Sequence, residues 1–511
     1  MAPRSQQDVI AFLSDPSTHD GQRPERVETH GAMIFLLPDR VLKLKRDVAY
    51  SFMDFGTPEK RRAACLNEVA LNRRTAPDLY CGTLPIVADG DGGGLYFGSP
   101  DTWPENAVET VLTMRRFDNT LADVSPSDEE LTELAEAVAS FHEQETPLRG
   151  HGGGAAMAGI QEGNLAFLDR DGHVDPGLCD ALGRAARAML DRVAPRIDQR
   201  AADGAVRHCH GDLHLANVCR WHGHPVPFDC IEFNDSFAQI DTLYDLAFLL
   251  MDLDRSGRRD GAGLVLNRYL EIRPEEIGAL DLLPLYLSMR AQVRGKVGLA
   301  AADLAEDEAA ARQRSEAVDF LTRALEYLSP APPMLVAVGG PSGSGKSTLA
   351  RRLAPHIGPA PGAHIARSDA IRKHLYGDGA LTDALPKSAY STAASVATYA
   401  EMEQRCAAAL SAGHAAIADA TFTHANSRAR MIPLAAAGKC RFVGFWLDLD
   451  LETAKSRVAA RQDDASDADI RVVEAQFRSG WGRIDWHRID ATLPLDDQVD
   501  ACLAVIGKET R

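Results

Sequence analysis

Long apolar runs, a secretory leader pattern and paired cysteines are all missing from this 511-residue chain. Because no run of about eighteen or more apolar residues occurs, we expect no membrane-spanning helix. The first residues, MAPRSQQDVIAFLSDPS, lack the basic and then apolar pattern of a signal peptide, which predicts a cytoplasmic protein. The nine cysteines include no CxxC pair, and this favours reduced thiols over a disulfide framework.

Positive charge is also scarce, since 55 basic residues face 73 acidic ones and the formal net charge is −18. A protein that held nucleic acid through many phosphate contacts would more often be basic, so we do not expect a nucleic-acid partner. Only ten of the basic residues are lysines. A lysine within a phosphate-handling pattern is therefore more informative here than in an average chain.

The length exceeds that of one ordinary hydrophobic core and predicts two or three domains. The proline cluster in LSPAPPMLVAVGG cannot continue the preceding helical pattern, and a short apolar strand follows it. A softer division falls near residue 116, where strand-like runs give way to mostly helical patterns. We predict two lobes at 1–116 and 117–329, a linker at 330–333 and a last domain at 334–511.

The last predicted domain begins with an apolar strand, a glycine-rich loop and a helix. The stretch GPSGSGKS satisfies the pattern G-x-x-x-x-G-K-[ST], in which backbone N–H groups surround the β-phosphate of a nucleotide. Lys346 is expected to bridge the β- and γ-phosphates, and the Ser347 hydroxyl to bind Mg²⁺. The predicted ATP-binding residues of this loop are Gly340, Ser342, Gly343, Ser344, Gly345, Lys346, Ser347 and Thr348.

Three strand-like segments follow this loop, GAHIARSD, GHAAIADAT and CRFVGFWLDL, and they predict a parallel α/β sheet. Asp369 is placed to take a proton from an attacking hydroxyl, and Asp419 to position Mg²⁺. Arg457 and Arg461 are spaced to stabilise charge on the transferring group. Alternatively, each aspartate caps the following helix and the arginines form a solvated helix face.

In this order, GPSGSGKST, SDAIRKHL, DATF and the two arginines resemble the branch of P-loop kinases that includes gluconate-kinase-like, zeta-toxin-like and polynucleotide-kinase-like proteins. The resemblance implies that Asp369 and Arg372 face the acceptor and that Arg461 faces ATP. It leaves the acceptor open, because these relatives phosphorylate sugars, nucleotides, antibiotics and RNA ends.

A second chemical pattern lies far upstream, in VRHCHGDLHLANVCRWHGH. Its five histidines and two cysteines suggest zinc by number, but they lack the paired short spacings of structural zinc sites. A kinase-type catalytic loop instead needs an aspartate as base and, five residues later, an asparagine that binds Mg²⁺. Asp212 and Asn217 have this separation. A further carboxylate should follow on a nearby strand as a metal ligand, and HPVPFDCIEFND offers both Asp229 and Glu232, which a regular strand would point to opposite faces.

The segments before residue 116 agree with a kinase-type site. RVLKLK predicts a strand with Lys43 and Lys45 on one face, and RRAACLNEVALNRR predicts a helix that carries Glu68. A strand lysine paired with a helix glutamate holds the α- and β-phosphates in kinases. We prefer Lys43, although the sequence does not separate it from Lys45. Backbone groups at the hinge are expected to meet adenine, at Met114, Arg115 and Arg116.

HGDLHLAN, IEF followed by YDLA, and VLKLK followed by NEVALNRR resemble the aminoglycoside phosphotransferase and choline kinase superfamily. That superfamily has IDF at the same distance before DLA, which favours Glu232 over Asp229. A glycine-rich nucleotide loop is replaced here by ETHGAM. Over nearly its whole length the chain resembles bacterial two-domain proteins that join an aminoglycoside-phosphotransferase-like domain to an ATP-binding P-loop domain.

The sequence thus predicts an α+β protein-kinase-like bilobal domain followed by an α/β P-loop kinase domain with a parallel sheet. Each would use ATP and Mg²⁺ to phosphorylate a hydroxyl of a small molecule, such as a sugar or amino sugar. Three alternatives stay open: a single catalytic domain with a nucleotide-sensing module, an RNA 5′-end kinase and a self-phosphorylating signalling kinase. The oligomeric state is not predicted.

Overall fold

A computed structural model describes residues 5–50, 53–89, 94–172, 174–303, 305–377, 385–460 and 469–508. By its internal contacts the chain divides into two compact units, one of Met1–Gly153 with Asp198–Leu246 and one of Gly154–Ile197 with Ala247–Arg511. This division does not follow the predicted boundaries at 116/117 and 330–333, which stay a prediction. Among the described residues, no helix is both long enough and apolar enough to cross a bilayer.

The secondary structure is as follows. The helices are α1 (Gln6–Ser14), α2 (Pro58–Asn72), α3 (Asp128–Gln144), α4 (Gly154–Asp171), α5 (Pro176–Asp203), α6 (Asp235–Ala238), α7 (Thr242–Arg255), α8 (Arg259–Ile272), α9 (Leu283–Ala302), α10 (Asp307–Tyr327), α11 (Lys346–Leu353), α12 (Ser368–Tyr376), α13 (Thr392–Ser411), α14 (Ala425–Ala429), α15 (Met431–Ala437), α16 (Leu451–Ala459), α17 (Ile470–Ser479) and α18 (Leu495–Lys508). The strands are β1 (Glu25–Glu28), β2 (Ala32–Leu36), β3 (Arg40–Lys45), β4 (Ala49–Tyr50), β5 (Met53–Asp54), β6 (Tyr80–Ala88), β7 (Leu95–Phe97), β8 (Ala107–Arg115), β9 (Val206–His208), β10 (Val218–Trp221), β11 (His224–Pro227), β12 (Gln239–Asp241), β13 (Met334–Gly339), β14 (His364–Arg367), β15 (Ala416–Asp419), β16 (Arg441–Asp448) and β17 (His487–Asp490). Short 3₁₀ helices lie at Pro16–His19, Leu215–Asn217, Pro274–Leu282, Ala354–His356 and Lys387–Tyr390.

The first unit contains a six-stranded antiparallel sheet with the strand order β1-β2-β3-β8-β6-β7. In β3, Leu42 and Leu44 belong to a core that includes residues of α1, whereas Val41 packs in a separate core with residues of α2. Because side chains alternate along a strand, Lys43 and Lys45 lie on the same face as Val41, towards α2. The sheet therefore presents both strand lysines to one helix.

The second unit contains a five-stranded parallel sheet in the order β14-β15-β13-β16-β17. The predicted strands GAHIARSD, GHAAIADAT and CRFVGFWLDL are confirmed as β14, β15 and β16. Arg367 of β14 and Val338 of β13 both pair with Asp419 of β15, so the ends of three neighbouring strands meet there. The predicted fold class, an antiparallel-sheet α+β domain followed by a parallel α/β domain, is confirmed.

Helix α8 covers the free edge of this parallel sheet. The side-chain amide of Asn267 donates to the Ala363 carbonyl oxygen over 3.2 Å and accepts from the Ile365 N–H over 2.7 Å. A single side chain thereby replaces a neighbouring strand at the edge, where unpaired backbone groups would otherwise face outward. This contact attaches the helices after residue 247 to the P-loop sheet within one unit.

Candidate active sites

The first candidate site is a buried cluster of charges between β3, α2 and the segment after β11. Lys43 Nζ lies 2.8 Å from Glu68 Oε1 and 2.5 Å from Asp229 Oδ1. Lys45 Nζ lies 2.5 Å from Glu68 Oε2 and also forms an ion pair with Glu232. Both strand lysines therefore contact the helix glutamate, whose side chain is fully buried. The structure thus brings together five charged residues that the sequence proposed for the kinase-like site, namely Lys43, Lys45, Glu68, Asp229 and Glu232.

The two lysines differ in their second partner and in their access to solvent. The Lys45 and Glu232 side chains are 3% and 6% exposed, whereas the Asp229 side chain beside Lys43 is 39% exposed. A group that meets ATP and Mg²⁺ must reach the open side of the cluster. This geometry favours Lys43 and Asp229 for ligand contact, with Lys45 and Glu232 as a buried pair beneath them.

The argument from strand alternation at Asp229 and Glu232 was wrong, because no strand is present there. Strand β11 ends at Pro227, and residues 228–234 are irregular. Asp229 has a positive φ of 63°, which is uncommon for a non-glycine residue. Its N–H donates to the Tyr80 hydroxyl over 3.1 Å, and the next N–H, of Cys230, donates to Asn72 Oδ1 over 2.8 Å. These two bonds hold the turn that aims Asp229 at Lys43.

The electrostatics of the cluster separate its two carboxylates further. Burial by itself would raise the pKa of Asp229, but the charge of Lys43 and its hydrogen bond outweigh burial and lower that pKa. Burial, together with the neighbouring Glu68 charge, raises the pKa of Glu232 despite its pairing with Lys45. The pKa of Lys43 lies well above its ordinary value, because Asp229, Glu68 and Glu232 outweigh the burial that would lower it. Asp229 is thus the more firmly ionised carboxylate.

The predicted catalytic loop folds around Asp212 and Asn217. The Asn217 side-chain NH₂ donates to both the Asp212 carbonyl oxygen and Oδ2, each over 3.0 Å. His214 Nε2 lies 3.4 Å from the same carboxylate oxygen. The Asp212 side chain is 38% exposed, so its carboxylate is held by neighbours and still reaches solvent.

Asp245, at the start of α7, holds the backbone of the predicted catalytic loop in place. Its carboxylate accepts from the N–H groups of His210 and Gly211 over 3.1 and 2.8 Å, and it also lies 3.1 Å from His142 Nε2. Gly211 has a φ of 85°, and a Cβ there would lie 3.0 Å from the Phe237 carbonyl oxygen. His210 Nε2 lies 2.9 Å from the Phe228 carbonyl oxygen, which ties the loop to the segment that carries Asp229.

The zinc alternative for this stretch gains no support. Among the residues that the structure describes, one group of three potential ligands comes together, namely His142, Cys209 and Asp245. It includes a single residue of the histidine- and cysteine-rich stretch. Burial lowers the pKa of His210, whose ring contacts a backbone carbonyl rather than a second histidine.

The predicted adenine hinge lies at the end of β8. The Arg115 N–H already donates to the Leu79 carbonyl oxygen over 2.9 Å, so it does not serve as a donor to adenine. The Met114 side chain is buried in the core beneath α2, and the Arg116 guanidinium donates to the Leu37 carbonyl oxygen. Adenine contact by the remaining backbone groups of Met114, Arg115 and Arg116 stays a prediction.

The second candidate site surrounds the glycine-rich loop between β13 and α11. Gly340 and Gly343 have φ values of 151° and 86°, and a Cβ on Gly343 would lie 2.7 Å from the Ala454 carbonyl oxygen. Lys346 Nζ donates to the Pro341 carbonyl oxygen over 3.0 Å across the loop. Ser344, Gly345, Ser347 and Thr348 complete the loop and the first turn of α11. The loop is thus compact and begins a helix, as the motif predicts.

Asp419 closes this site from the end of β15. The Ser347 hydroxyl donates to Asp419 Oδ2 over 2.6 Å, and Arg367 Nε lies 3.8 Å from the same oxygen. Burial raises the pKa of Asp419, while Arg367, Lys346 and the Ser347 hydrogen bond act against that rise. Helix α14 begins six residues later, at Ala425, so Asp419 is not a helix cap.

The predicted acceptor residues lie on α12. Asp369 is in the first turn and the N-cap is Arg367, so the capping alternative for Asp369 is also wrong. Arg372 is buried, donates to the Ala389 carbonyl oxygen over 2.5 Å and lies over the Tyr390 ring. Burial raises the pKa of the Tyr399 hydroxyl, and the nearby charges of Asp369 and Arg372 raise and lower it respectively. The three side chains therefore lie in one region.

The two arginines predicted to stabilise charge, Arg457 and Arg461, have different outcomes. Arg457 on α16 donates to the Ala491 carbonyl oxygen over 2.9 Å. The contact with Ala491 does not support a role for Arg457 at the phosphates, and that role stays a prediction. Arg461 lies outside the described residues.

Sequence reasoning missed one side chain that contacts the glycine-rich loop directly. Gln476 on α17 accepts from the Ser342 N–H over 2.9 Å and donates to the Ser342 hydroxyl over 3.1 Å. It follows the loop by more than a hundred residues in a segment without a recognisable motif. No local signal could have connected the two.

Comparisons with known proteins give one family model and a curated relative that match this chain. A family model described as an AAA domain matches residues 335–480. The uncharacterised protein Rv2004c of Mycobacterium tuberculosis is 31% identical over 491 residues, which cover 92% of this chain and 93% of that protein.

Several solved structures are similar to a portion of the chain. A choline/ethanolamine kinase family protein from Mesorhizobium loti covers 63% of this chain and 98% of its own, with 14% identity and a TM-score of 0.34. A gluconokinase from Sinorhizobium meliloti covers 35% of this chain and 94% of its own, with 19% identity and a TM-score of 0.26. Because both scores are low, the folds assigned here rest on the strand orders and connections described above.

Proposed function

This chain belongs to the same family as the uncharacterised mycobacterial protein, and we propose that it is a tandem ATP-dependent small-molecule kinase. Each half transfers the γ-phosphoryl group of ATP to a hydroxyl. The observation that supports the proposal is the presence of two separate groups of side chains whose residue types suit the handling of phosphate. One set is Lys43, Glu68 and Asp229 with the Asp212 loop, and the other is the glycine-rich loop with Asp419.

In the kinase-like half, Asp212 is the base. Its carboxylate is oriented by Asn217, reaches solvent and can accept the proton of an acceptor hydroxyl. Lys43, held by Glu68, meets the α- and β-phosphates, and adenine lies at the hinge formed by Met114 and Arg116.

The donor atoms of this half suit Mg²⁺, which prefers carboxylate and amide oxygens. Asp229 is ionised and half-exposed, and the Asn217 NH₂ is bonded to Asp212, which leaves the amide oxygen for a cation. We therefore place Mg²⁺ at Asp229 and Asn217 and assign Glu232 to the buried support. When bound, the ion would neutralise charge on the phosphates.

In the P-loop half, the backbone N–H groups of the loop and Lys346 hold the phosphates, and Ser347 with Asp419 holds Mg²⁺. The hydrogen bond between the Ser347 hydroxyl and Asp419 brings together two of the oxygen atoms that would bind this ion. Asp369 orients or deprotonates the acceptor hydroxyl, with Arg372 behind it on α12.

The acceptors are small molecules. A net charge of −18 favours neutral or cationic acceptors, such as a sugar or an amino sugar, over polyanions. All nine cysteines are free thiols, which suits a reducing compartment such as the cytoplasm.

The test is a screen of a metabolite pool with ATP, read by mass spectrometry, on the wild type and two variants. Asp212→Asn removes the base of the first half and Lys346→Ala removes the phosphate lysine of the second. Arg352→Ala, an exposed change on the same helix as Lys346, is the control.

A tandem kinase should give two products, each abolished by one variant and untouched by the other. If one variant removes every product and the other removes none, a single catalytic domain with a nucleotide-sensing module replaces the proposal. Transfer to a 5′-hydroxyl oligonucleotide in place of small molecules would support the RNA alternative. A mass gain of the protein alone would indicate self-phosphorylation.

A further inference from the structure

A small cavity lies in the second unit, between α8 and the P-loop sheet, and the proposed catalysis does not use it. Its volume is about 140 Å³. One wall is α8, through Arg268, Glu271 and Ile272, and the other is formed by β14, α12 and α13. Asn267 of α8 is bonded to the edge of β14, so the two walls are held at a fixed spacing.

Two buried polar side chains line this cavity with hydrogen-bonding atoms that no described residue satisfies. His364 is 1% exposed, and neither ring nitrogen has a protein partner. Arg405 is 5% exposed, and its Nη2 also lacks one, although its Nε donates to Glu401 over 2.8 Å. A buried donor without a partner is unfavourable, because it has lost its hydrogen bonds to water. Such atoms indicate a polar occupant of the cavity.

The cavity lining is rich in arginine, with three guanidinium groups and one carboxylate. Each guanidinium also has a carboxylate neighbour, which is Glu271 for Arg268, Glu401 for Arg405 and Asp419 for Arg367. Burial lowers the pKa of His364 to about 3, so its ring is neutral and can donate one hydrogen bond. Arginine side chains recognise phosphate through paired N–H groups, and the Arg405 atom without a partner is of that kind.

The cavity lies behind the acceptor helix, away from the proposed acceptor. On α12 its lining residues are Ala370, Ile371 and His374, which share one helix face. Asp369 and Arg372 are not among them, and the Arg372 guanidinium is directed to Ala389 and Tyr390. Arg367 lines the cavity and also lies 3.8 Å from Asp419, so one side chain touches both places.

We propose that this cavity is a binding site for a phosphate group, formed by His364, Arg405, Arg268 and Arg367 and separate from the glycine-rich loop. At about 140 Å³ it is smaller than the roughly 300–1,000 Å³ of pockets for drug-sized ligands. A whole nucleotide therefore does not fit, whereas a free phosphate ion or the head of a small phosphate ester does. His374 is exposed and marks the side from which the group enters.

The test measures phosphate binding by the full-length chain at equilibrium, with radiolabelled orthophosphate and with glycerol 3-phosphate. The glycine-rich loop also binds phosphate, so Lys346→Ala is included to weaken that site. His374→Glu places a negative charge at the entrance without touching the buried core. His356→Glu, the same change at another exposed histidine of this domain, is the matched control.

The expected result is that Lys346→Ala retains one phosphate site and that His374→Glu weakens this site at least about tenfold. His356→Glu should leave it unchanged. Arg405→Gln should reproduce the loss, and thermal unfolding would show whether this buried variant still folds. Binding of both ligands would indicate an ester head group, whereas binding of orthophosphate alone would indicate the free ion.

The proposal is overturned if Lys346→Ala binds no phosphate, or if the double variant Lys346→Ala/His374→Glu binds it as tightly as Lys346→Ala. The measurement needs no turnover. A chain that proves inactive as a kinase would therefore still decide the question.

Discussion

The two candidate centres, for which we propose the same type of reaction, differ in how the chain supplies their functional groups. The P-loop centre takes most of its groups from one continuous stretch, Gly340 to Thr348, and adds Asp419 from a neighbouring strand. The kinase-like centre collects its charges from four separate segments, with Lys43 and Asp229 186 residues apart. The first depends on backbone conformation, and the second depends on the balance of buried charges.

This difference explains how much of each site the sequence could predict. A continuous loop carries its spacing and its glycines in the sequence, so the P-loop, the strands around it and Ser347 were all predictable. In the kinase-like half, the candidates Lys43, Glu68, Asp212 and Asn217 could also be proposed from the sequence, because each lies in its own short motif.

What the sequence could not provide was the geometry between segments. Asp229 and Glu232 are three residues apart, and only the turn at Asp229, held by Tyr80 and Asn72, decides which one faces outward. The contact between Gln476 and Ser342, and the attachment of α8 to β14 by Asn267, join segments that share no pattern. These are tertiary contacts between residues that local propensity does not connect.

The largest effect is expected where the two carboxylates of the distributed centre are compared. In a Lys346→Ala background, Asp229→Asn should lower phosphoryl transfer about 100-fold or more, because it removes a charge aimed at the phosphates and their metal. Glu232→Gln should retain most of the activity, since Lys45 keeps Glu68 as a partner. It should instead lower the midpoint of thermal unfolding.

The measurement is the rate of transfer as a function of Mg²⁺ concentration, together with thermal unfolding of each variant. A rise in the Mg²⁺ requirement for Asp229→Asn alone would support the assignment. The reverse pattern, with activity lost in Glu232→Gln and kept in Asp229→Asn, would restore Glu232 as the metal ligand.

Backbone strain should dominate in the continuous centre. Gly343→Ala places a Cβ 2.7 Å from the Ala454 carbonyl oxygen at a φ of 86°, so we expect a loss of about 1–3 kcal/mol in stability. Gly345→Ala has a similar φ of 88° but no atom within 4 Å of the new Cβ, and should cost about 1 kcal/mol.

Denaturant unfolding of both variants measures the two losses in the free energy of unfolding. Because the two glycines have nearly the same φ, the difference between the losses reports the steric contact of the Cβ at residue 343. Equal losses would mean that α16 moves away from the loop without cost. Circular dichroism of each variant controls for a change in overall structure.

A smaller effect is expected at the turn that aims Asp229. Tyr80→Phe removes the hydroxyl that accepts from the Asp229 N–H, a single hydrogen bond worth about 1 kcal/mol. Because the bond acts through Asp229, the Mg²⁺ requirement of the kinase-like half should rise about fivefold. The P-loop half should not change, and a uniform loss in both halves would indicate only a less stable fold.

The smallest expected effect is a pH dependence of opposite sign in the two centres, measured without metal in the presence of a chelator. The pKa of Asp229 is lowered in the folded chain, because Lys43 outweighs burial. Its contribution to stability is therefore present above roughly pH 4, near the ordinary carboxylate pKa, and is lost as the pH falls further. The pKa of Asp419 is raised by burial, so its ionisation disfavours the fold as the pH rises through that raised value.

Denaturant unfolding of Asp229→Asn and Asp419→Asn against the wild type between about pH 3 and 7 tests both signs. Relative to the wild type, Asp229→Asn should be less stable at neutral pH, with the difference shrinking on acidification. Asp419→Asn should gain relative stability as the pH rises. If the stability of Asp229→Asn instead rose with pH in parallel with that of Asp419→Asn, Lys43 and Asp229 would not be paired in the free chain. The contrast between a centre that depends on buried charges and one that depends on backbone conformation would then fail.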